Sequence, residues 1–411
     1  MFGLNTKDVM SKQKNIPIIV GVGQVVDHWD GRDPSQAPSP ISLATESIER
    51  AIADTGNSDL HNDMDTLAVV RAFTDSLLRP FDPFGKAVNF PAAIAQAAEI
   101  KPQQFIYSPA GGEQPQSLVN ELSTAIANGD IRTAMIVGSE ANAALKTALK
   151  CGLKLDWASD VNVEIEDRGS QIDFISAYEI ANGMGLPPQT YAAMEEALRA
   201  RLDMTKSEYL DYMAGICSAL SKTAGQNSFA QFAQFAQAMS KEFLAEPSKK
   251  NYPISDPYLK WHVAQDAVNQ ASALILTSVE HAQELGIPED RWIYLHGYSD
   301  VKDRLVSERP DLSRSMALEL ALTSAIDRAG ISAQDIAYQD IYSCFPIVVH
   351  LAAEVLGLDP TRDEMTVTGG LPFFGGAGNN YSTHGIASLV EKLRHDREAY
   401  GLILALSLIH I

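Results

Sequence analysis

Three segments hold residue types from which chemistry could be built. Thr368 to His384 (TGGLPFFGGAGNNYSTH) places five glycines, two asparagines, a tyrosine and a histidine within 17 residues. Glycine opens backbone conformations closed to other residues and lets a ligand approach the main chain. Asn379 and Asn380 can orient a carbonyl or a water, and His384 is of the type that serves as acid or base. A lone histidine near a helix start is more often structural. Asp340 to Pro346 (DIYSCFP) carries Cys344, the one cysteine beside such a loop. Nucleophilic use would need a base or a helix terminus to lower its pKa, and a buried, inert thiol is the commoner case. Pro109 to Gln114 (PAGGEQ) sets Gly111 and Gly112 between a short strand and a helix, where backbone N–H groups face an anion or a developing oxyanion. The plainer reading is a tight turn that packs a helix on a sheet, since no nucleophile stands in it. GxSxG, Walker-loop and paired His/Cys metal spacings are absent. A nucleotide-binding oxidoreductase wants a third glycine after Gly21 and Gly23, and the sequence lacks it.

The elements that would position these segments can be read from periodicity. Ile16 to Val25, Met64 to Ala72, Gln104 to Ser108 and Ala134 to Gly138 read as buried strands. Between them, helices are predicted over Ser42 to Asp54 with Gly56 as C-cap, over Asn89 to Glu99, and from Pro115 to Gly129. The last shows Leu118, Val119, Leu122, Ala125 and Ile126 on one face. Such alternation implies parallel pairing with crossover helices. From Glu140 to Trp261 the rhythm breaks into helices over Tyr191 to Leu202, Lys206 to Thr223 and Phe229 to Phe243, which reads as an inserted, mostly helical cap. Alternation returns with strands over Ala271 to Thr277 and Trp292 to Tyr298, then a helix over Met316 to Ala329.

The second half echoes the first. Ala51 and Ile52, with Gly56 four residues after Ile52, recur as Ala325 and Ile326 with Gly330. Gly111 and Gly112, an amphipathic helix and the strand AMIVG recur as Gly375 and Gly376, the helix Ile386 to Leu393 and GLILA. The preferred architecture is therefore α/β with an internal duplication of a βαβαβ unit, a single doubly wound domain being the alternative.

The chain has 411 residues, 45% of them hydrophobic and 20% charged, and a mean hydropathy near zero, an ordinary globular composition. No apolar run of about 18 residues occurs, so no membrane span is expected. The polar, lysine-containing start from Met1 to Asn15 does not read as a signal peptide, which makes the cytoplasm the default location. A net charge of −20 repels phosphate backbones and argues against a nucleic-acid partner. Cys151, Cys217 and Cys344, widely spaced, fit neither a disulfide framework nor a metal site.

GGEQPQSLVNELSTAIANGD followed by AMIVGSEA resembles the nucleophile turn of thiolases and its helix. TYAAMEEALRARL and NSFAQF (Asn227 to Phe232) are similar to the loop domain of sterol-carrier-type thiolases, and NQASALILTS to the strand that opens the second half. YSCFP and TGGLPFFGGAGNNYSTHGIA sit where thiolases carry their Asn/His and Gly-His-Pro motifs. The resemblance covers nearly the whole chain and is nearest to acetyl-CoA acetyltransferase-like proteins called thiolase-like protein type 1. It implies a duplicated, layered αβαβα sandwich. Its parts would be a first half over residues 1–139, a loop domain over 140–261, a completing strand over 262–280 and a second half over 281–405. The last six residues, 406–411 (LSLIHI), are expected to be a non-native tail, with the native chain continuing past Ala405.

The resemblance also implies departures. Gly112 falls where thiolases carry the acyl-accepting cysteine, Gly376 where the Gly-His-Pro histidine belongs, with Ala377 for the proline, and Tyr342 where an Asn or His orients an oxyanion-hole water. Glycine can neither form a thioester nor relay a proton, so the ping-pong route through position 112 is excluded by this alignment. The expectation is an acyltransferase of lipid metabolism, forming or cleaving carbon–carbon bonds on coenzyme A esters with degenerate motifs. Cys344, His384 and Tyr342 are then the candidate catalytic groups; Gly111, Gly112, Gly375, Gly376, Asn379 and Asn380 would contact substrate. A non-catalytic acyl-CoA or lipid binder, or a partner subunit, is the alternative. No metal or resident cofactor is expected, coenzyme A thioester being substrate or ligand, and pairing of two copies is a family expectation.

Overall fold

The computed structural model describes residues 15–76, 81–169, 175–232 and 238–406. The expectations for the start of the chain, for the tail from 407 and for the middle of the helix 229–243 lie outside the described residues. In chain order, β1 (Pro17–Val26) precedes α1 (Pro40–Thr55). Pro40 and reciprocal bonds between Ser39 and Ser42 fix the start of α1, and Gly56, at φ 77°, ends it. Next come β2 (Thr66–Val69), α2 (Phe90–Ala97), β3 (Gln104–Tyr107), α3 (Gln114–Asn128) and β4 (Thr133–Ala141).

The middle of the chain holds α4 (Asn142–Cys151), β5 (Glu166–Asp167), α5 (Ala177–Ala181), α6 (Pro187–Arg201), α7 (Lys206–Ala224) and α8 (Lys241–Ala245). A small hairpin follows, β6 (Pro253–Ser255) and β7 (Tyr258–Leu259). Of the helix expected over Phe229 to Phe243, the described part shows turns over 228–232 and only the short α8, which starts at the Ser240 N-cap. The run then reaches β8 (Asn269–Ser278), α9 (Val279–Glu284), β9 (Ile293–Tyr294), α10 (Met316–Ala329), β10 (Ile336–Ile341), α11 (Pro346–Leu356), α12 (Tyr381–His395) and β11 (Tyr400–Leu404).

The larger sheet has the order β5-β3-β2-β4-β8-β1-β9. β2 is parallel to β3 and β4, as the alternation implied, but β8 runs antiparallel to both β4 and β1. The reason is where the insertion leaves and returns: Ala141, the last residue of β4, pairs with Asn269, the first of β8. All ten residues of β8 are buried, as its unbroken apolar run requires.

One face of this sheet is covered by α1 and α2, through Ala44, Ile48, Ile52 and Ile94. The other is covered by α3 and α12, through Leu118, Leu122, Ile126, Ile386 and Val390. On the far side of α12 lies a second sheet, the parallel pair β10–β11, with α10 and α11 outside it. The result is five layers, helix–sheet–helix–sheet–helix. The duplication has a physical mark: a Cβ at Gly21 of β1 would strike the Ala51 carbonyl of α1, and one at Gly297 would strike the Ala325 carbonyl of α10. The strand expected over Trp292 to Tyr298 is shorter, only Ile293–Tyr294, because it pairs with Ile18 and Ile19 alone among the described residues. No helix among them is long and apolar enough to cross a membrane.

Candidate functional site

The glycine turn before α3 is held from two directions. Gly111, at φ 152°, donates its N–H to Asn379 Oδ1 at 3.1 Å. Asn379 in turn donates to the Arg71 carbonyl at 2.8 Å and to Ser76 Oγ at 2.9 Å. Ser382 Oγ, at the start of α12, donates to the Gly112 carbonyl at 3.1 Å. The segment 368–384 and the turn 109–113 are thus brought together by direct hydrogen bonds across some 270 residues of sequence.

Tyr342 closes the third side. A Cβ built at Gly112 would run into the Tyr342 hydroxyl, and would meet the Leu406 carbonyl at 2.5 Å. The phenol therefore occupies the space that any side chain at 112 would need. Tyr342 is fully buried, its ring packs edge-on against Tyr381 at 5.5 Å, and its hydroxyl has no hydrogen-bond partner among the described residues. Burial, followed by the nearby Cys344 and Glu113, raises its pKa well above the ordinary value, so it stays a neutral phenol.

The other predicted groups lie around this junction in different settings. Cys344 is completely buried, and burial pushes its thiol up to about 12, with the Tyr191 hydroxyl beside it pulling weakly the other way. Such a thiol carries almost no thiolate near neutral pH. His384, one turn into α12, is also completely buried; its Nδ1 meets Gln24 Oε1 at 2.9 Å, and Phe374 stacks edge-on at 5.2 Å. Burial lowers its pKa to about 3, so the ring is neutral; its Nε2 has no partner among the described residues.

Asn380 turns to the sheet instead: its Nδ2 donates to the Gly138 carbonyl at 2.8 Å, and its side chain fills the space a Cβ at Gly138 would take. Gly375, at φ 125°, seats against Gln270 and Val268, while the Gly376 N–H donates to the Gln265 carbonyl at 2.8 Å. Around Gly376 the nearest atoms to a Cβ would be 3.3 and 3.4 Å away, so this position is tight but not filled. Gly111, Gly112, Tyr342 and Asn379 share direct contacts. Gly375 and Gly376 join the group through Phe374, which packs against both Tyr381 and His384.

Some polar groups here were not singled out from sequence. Glu140, at the end of β4, accepts from the Phe73 N–H at 2.6 Å and is pushed up to about 8 by burial. Glu195 of α6 accepts from the Tyr258 hydroxyl at 2.6 Å and from the Ile347 N–H at 3.3 Å, and burial takes it to about 7. Gln24 orients His384. The available signal was a polar residue inside an apolar strand: GQV in β1 and SEA in β4. A cavity of about 630 Å³ touches the glycine turn through Glu113 and extends away along α10, α12 and β11, and a smaller one of about 60 Å³ is lined in part by Glu140.

No family model matches the chain. Among solved structures it is similar to a monomeric SCP2-thiolase-like protein type 1 from Mycobacterium smegmatis. That match has 32% identity and a TM-score of 0.79, and covers 97% of this chain and 76% of that one. An Ltp2–ChsH2(DUF35) aldolase, 17% identical with a TM-score of 0.69 over 97% of this chain and 96% of the other, shares the fold. Acetyl-CoA acetyltransferase 1 of Arabidopsis thaliana is 32% identical over 132 residues, a segment spanning 32% of this chain and 29% of that enzyme.

Proposed function

The chain belongs to the thiolase superfamily, among the SCP2-thiolase-like proteins of type 1, and we propose that it binds an acyl-CoA thioester without passing the acyl group through a side chain of its own. The thioester end lies at the start of α3, against Gly111, Gly112 and Asn379, with Gly375, Gly376 and Asn380 shaping the opposite wall. The observation that carries this reading is the Tyr342 hydroxyl standing in the space of a residue-112 side chain. Glycine and tyrosine there fit each other, so the loss of a nucleophile is built into the packing.

The remaining candidates support the same reading. A thiol pushed up to about 12 is a poor nucleophile, and an imidazole lowered to about 3 is a poor base near neutrality. Cys344 and His384 then act as core residues, and Tyr342 as a neutral donor to a ligand oxygen. The protein thus serves CoA-ester metabolism as a binder or as a subunit that presents a thioester to a catalytic partner, rather than as a self-sufficient acyltransferase. The test pairs calorimetric titration with acetyl-CoA and acetoacetyl-CoA against an assay of acyl transfer. Saturable binding with turnover at the buffer rate is expected; turnover above it, or no binding of either ester, overturns the proposal.

A further inference from the structure

Glu195 lies in the middle of α6, inside the inserted cap, and is completely buried. Its carboxyl gathers three other elements. Oε1 accepts from the Tyr209 hydroxyl of α7 at 2.5 Å. Oε2 accepts from the Tyr258 hydroxyl of β7 at 2.6 Å and from the Ile347 N–H of α11 at 3.3 Å. The last bond answers a need of α11. The first N–H groups of a helix have no partner within it. Phe345, at the N-cap position, makes no side-chain cap bond, and Pro346 has no N–H, so Ile347 is the first donor left over. A residue 152 positions away in sequence therefore caps α11.

The capped turn leads directly to the site. Residues 343–345 join it to Tyr342, the phenol that fills the space beside Gly112. Towards the second sheet, the Tyr342 N–H donates to the Leu404 carbonyl at 3.0 Å and the Leu371 N–H to Ser343 Oγ at 3.1 Å. Towards the cap, Phe345 stacks on Tyr191 at 4.1 Å and tilts against Tyr258 at 5.0 Å, and Glu195 supplies the hydrogen bond. The cap also grips α11 through Arg201 on Glu354 and the Tyr212 hydroxyl at 2.6 Å from His350 Nδ1. Those contacts fix the later turns and leave the first turn to Glu195.

We propose that Glu195 is a positioning residue for the glycine-turn site: capping α11 from the inserted cap, it fixes the stretch 342–346 and holds Tyr342 against Gly112. The consequence for affinity rests on reading that site as an acyl-CoA site; the capping does not.

Charge gives this arrangement a signature that packing alone lacks. Burial outweighs the three donors and pushes Glu195 up to about 7. Around it, burial keeps Tyr209, Tyr212 and Cys217 of α7, Tyr258 of β7 and Cys344 neutral. Burial lowers His350 of α11, and Glu196 beside it pairs with Arg199 at 2.9 Å. Because its folded value is raised, the docking by Glu195 is full at low pH and weakens as pH rises from about 4.5 through 7. The neutral carboxyl keeps an oxygen for the Ile347 N–H, and glutamine would do the same at any pH.

The test compares the protein with Glu195→Gln and Glu195→Ala from pH 6 to 8.5. Hydrogen exchange is followed without ligand, and acetyl-CoA is titrated by calorimetry. Corrected for intrinsic rates, protection at Ile347 and Val348 should fall about tenfold across this range in the parent and stay level in the glutamine variant. The alanine variant should lack it throughout, with β8 protected in all three. At pH 8, iodoacetamide should modify Cys344 several times faster in the parent than in the glutamine variant. Acetyl-CoA affinity should weaken with pH in the parent alone. Equal exchange and equal Cys344 reactivity in parent and glutamine variant would overturn the proposal, whether or not the alanine variant folds. Exchange that follows Glu195 while no ester binds supports the positioning and overturns the acyl-CoA reading instead.

Discussion

Two glycines stand where relatives of this chain are expected to carry catalytic side chains, and their surroundings differ. At Gly112 the missing side chain has been replaced in space by the Tyr342 phenol. At Gly376 a Cβ would sit 3.3 Å from the Gln265 carbonyl, tight but without a collision, and the Gly376 N–H donates to that same carbonyl. The first position is filled by packing, and the second is tight but open. A side chain at 112 must displace a buried phenol, whereas a Cβ at 376 asks its neighbours to give by only a few tenths of an ångström.

The largest effect should come from Gly112→Cys. Its Cβ collides with the Tyr342 hydroxyl and ring, and overpacking of this kind costs about 1–3 kcal/mol. Denaturant midpoints should fall accordingly, and Gly112→Cys combined with Tyr342→Asn should recover part of the loss. Additive losses in that double-mutant cycle would show that the two positions do not compete for space.

Next in size are the pH effects, which have opposite signs in two places. Glu140 is raised to about 8 when folded, so its contribution is present below its unfolded value and is lost as pH rises from about 4.5 through 8. His384 is lowered to about 3, so its contribution is present above about 6.5 and is lost as pH falls from there toward 3. The thermal unfolding midpoint should therefore be highest near pH 6. Glu140→Gln should flatten the alkaline side and His384→Phe the acidic side; unchanged slopes in both variants would contradict these assignments.

Tyr342→Phe should be a smaller change. It removes a buried hydroxyl without a partner, so stability should stay level or rise by about 1 kcal/mol. Its acyl-CoA affinity, measured by calorimetry, should fall if the hydroxyl meets the ligand, which separates a donor from a plug. Gly376→His should change least. A Cβ there needs its neighbours at 3.3 and 3.4 Å to yield only a few tenths of an ångström, so unfolding should shift by less than in Gly112→Cys, and acyl transfer should remain at background. A measurable gain in turnover from this single change would break the contrast between the two glycines.

Much of the fold was legible because local signals agreed with tertiary ones. Met316–Ala329 has the bounds that its periodicity and Gly330 predict, since Ser315 caps it and Gly330 ends it at φ 70°. The repeated Ala-Ile and Gly pattern marked a real equivalence, seen in the backbone contacts of Gly21 and Gly297. Three things were not legible. The direction of β8 depends on where an insertion of more than a hundred residues returns. The strand over 292–298 depends on a neighbour that the pattern cannot see. The meeting of Tyr342 with Gly112 joins residues 230 apart, and neither residue alone carries a sign of it. The site residues could be gathered from composition, but whether they are wet or buried could not. Burial is what separates a reactive thiol from Cys344 and a working base from His384.

The central claim is that a thioester binds here and is not transferred to the protein. Titrating acetyl-CoA into the protein in a calorimeter, and following release of free coenzyme A in the same sample, tests it most directly. A saturable heat with thiol released no faster than in buffer is the predicted result; thiol release above that background would contradict it.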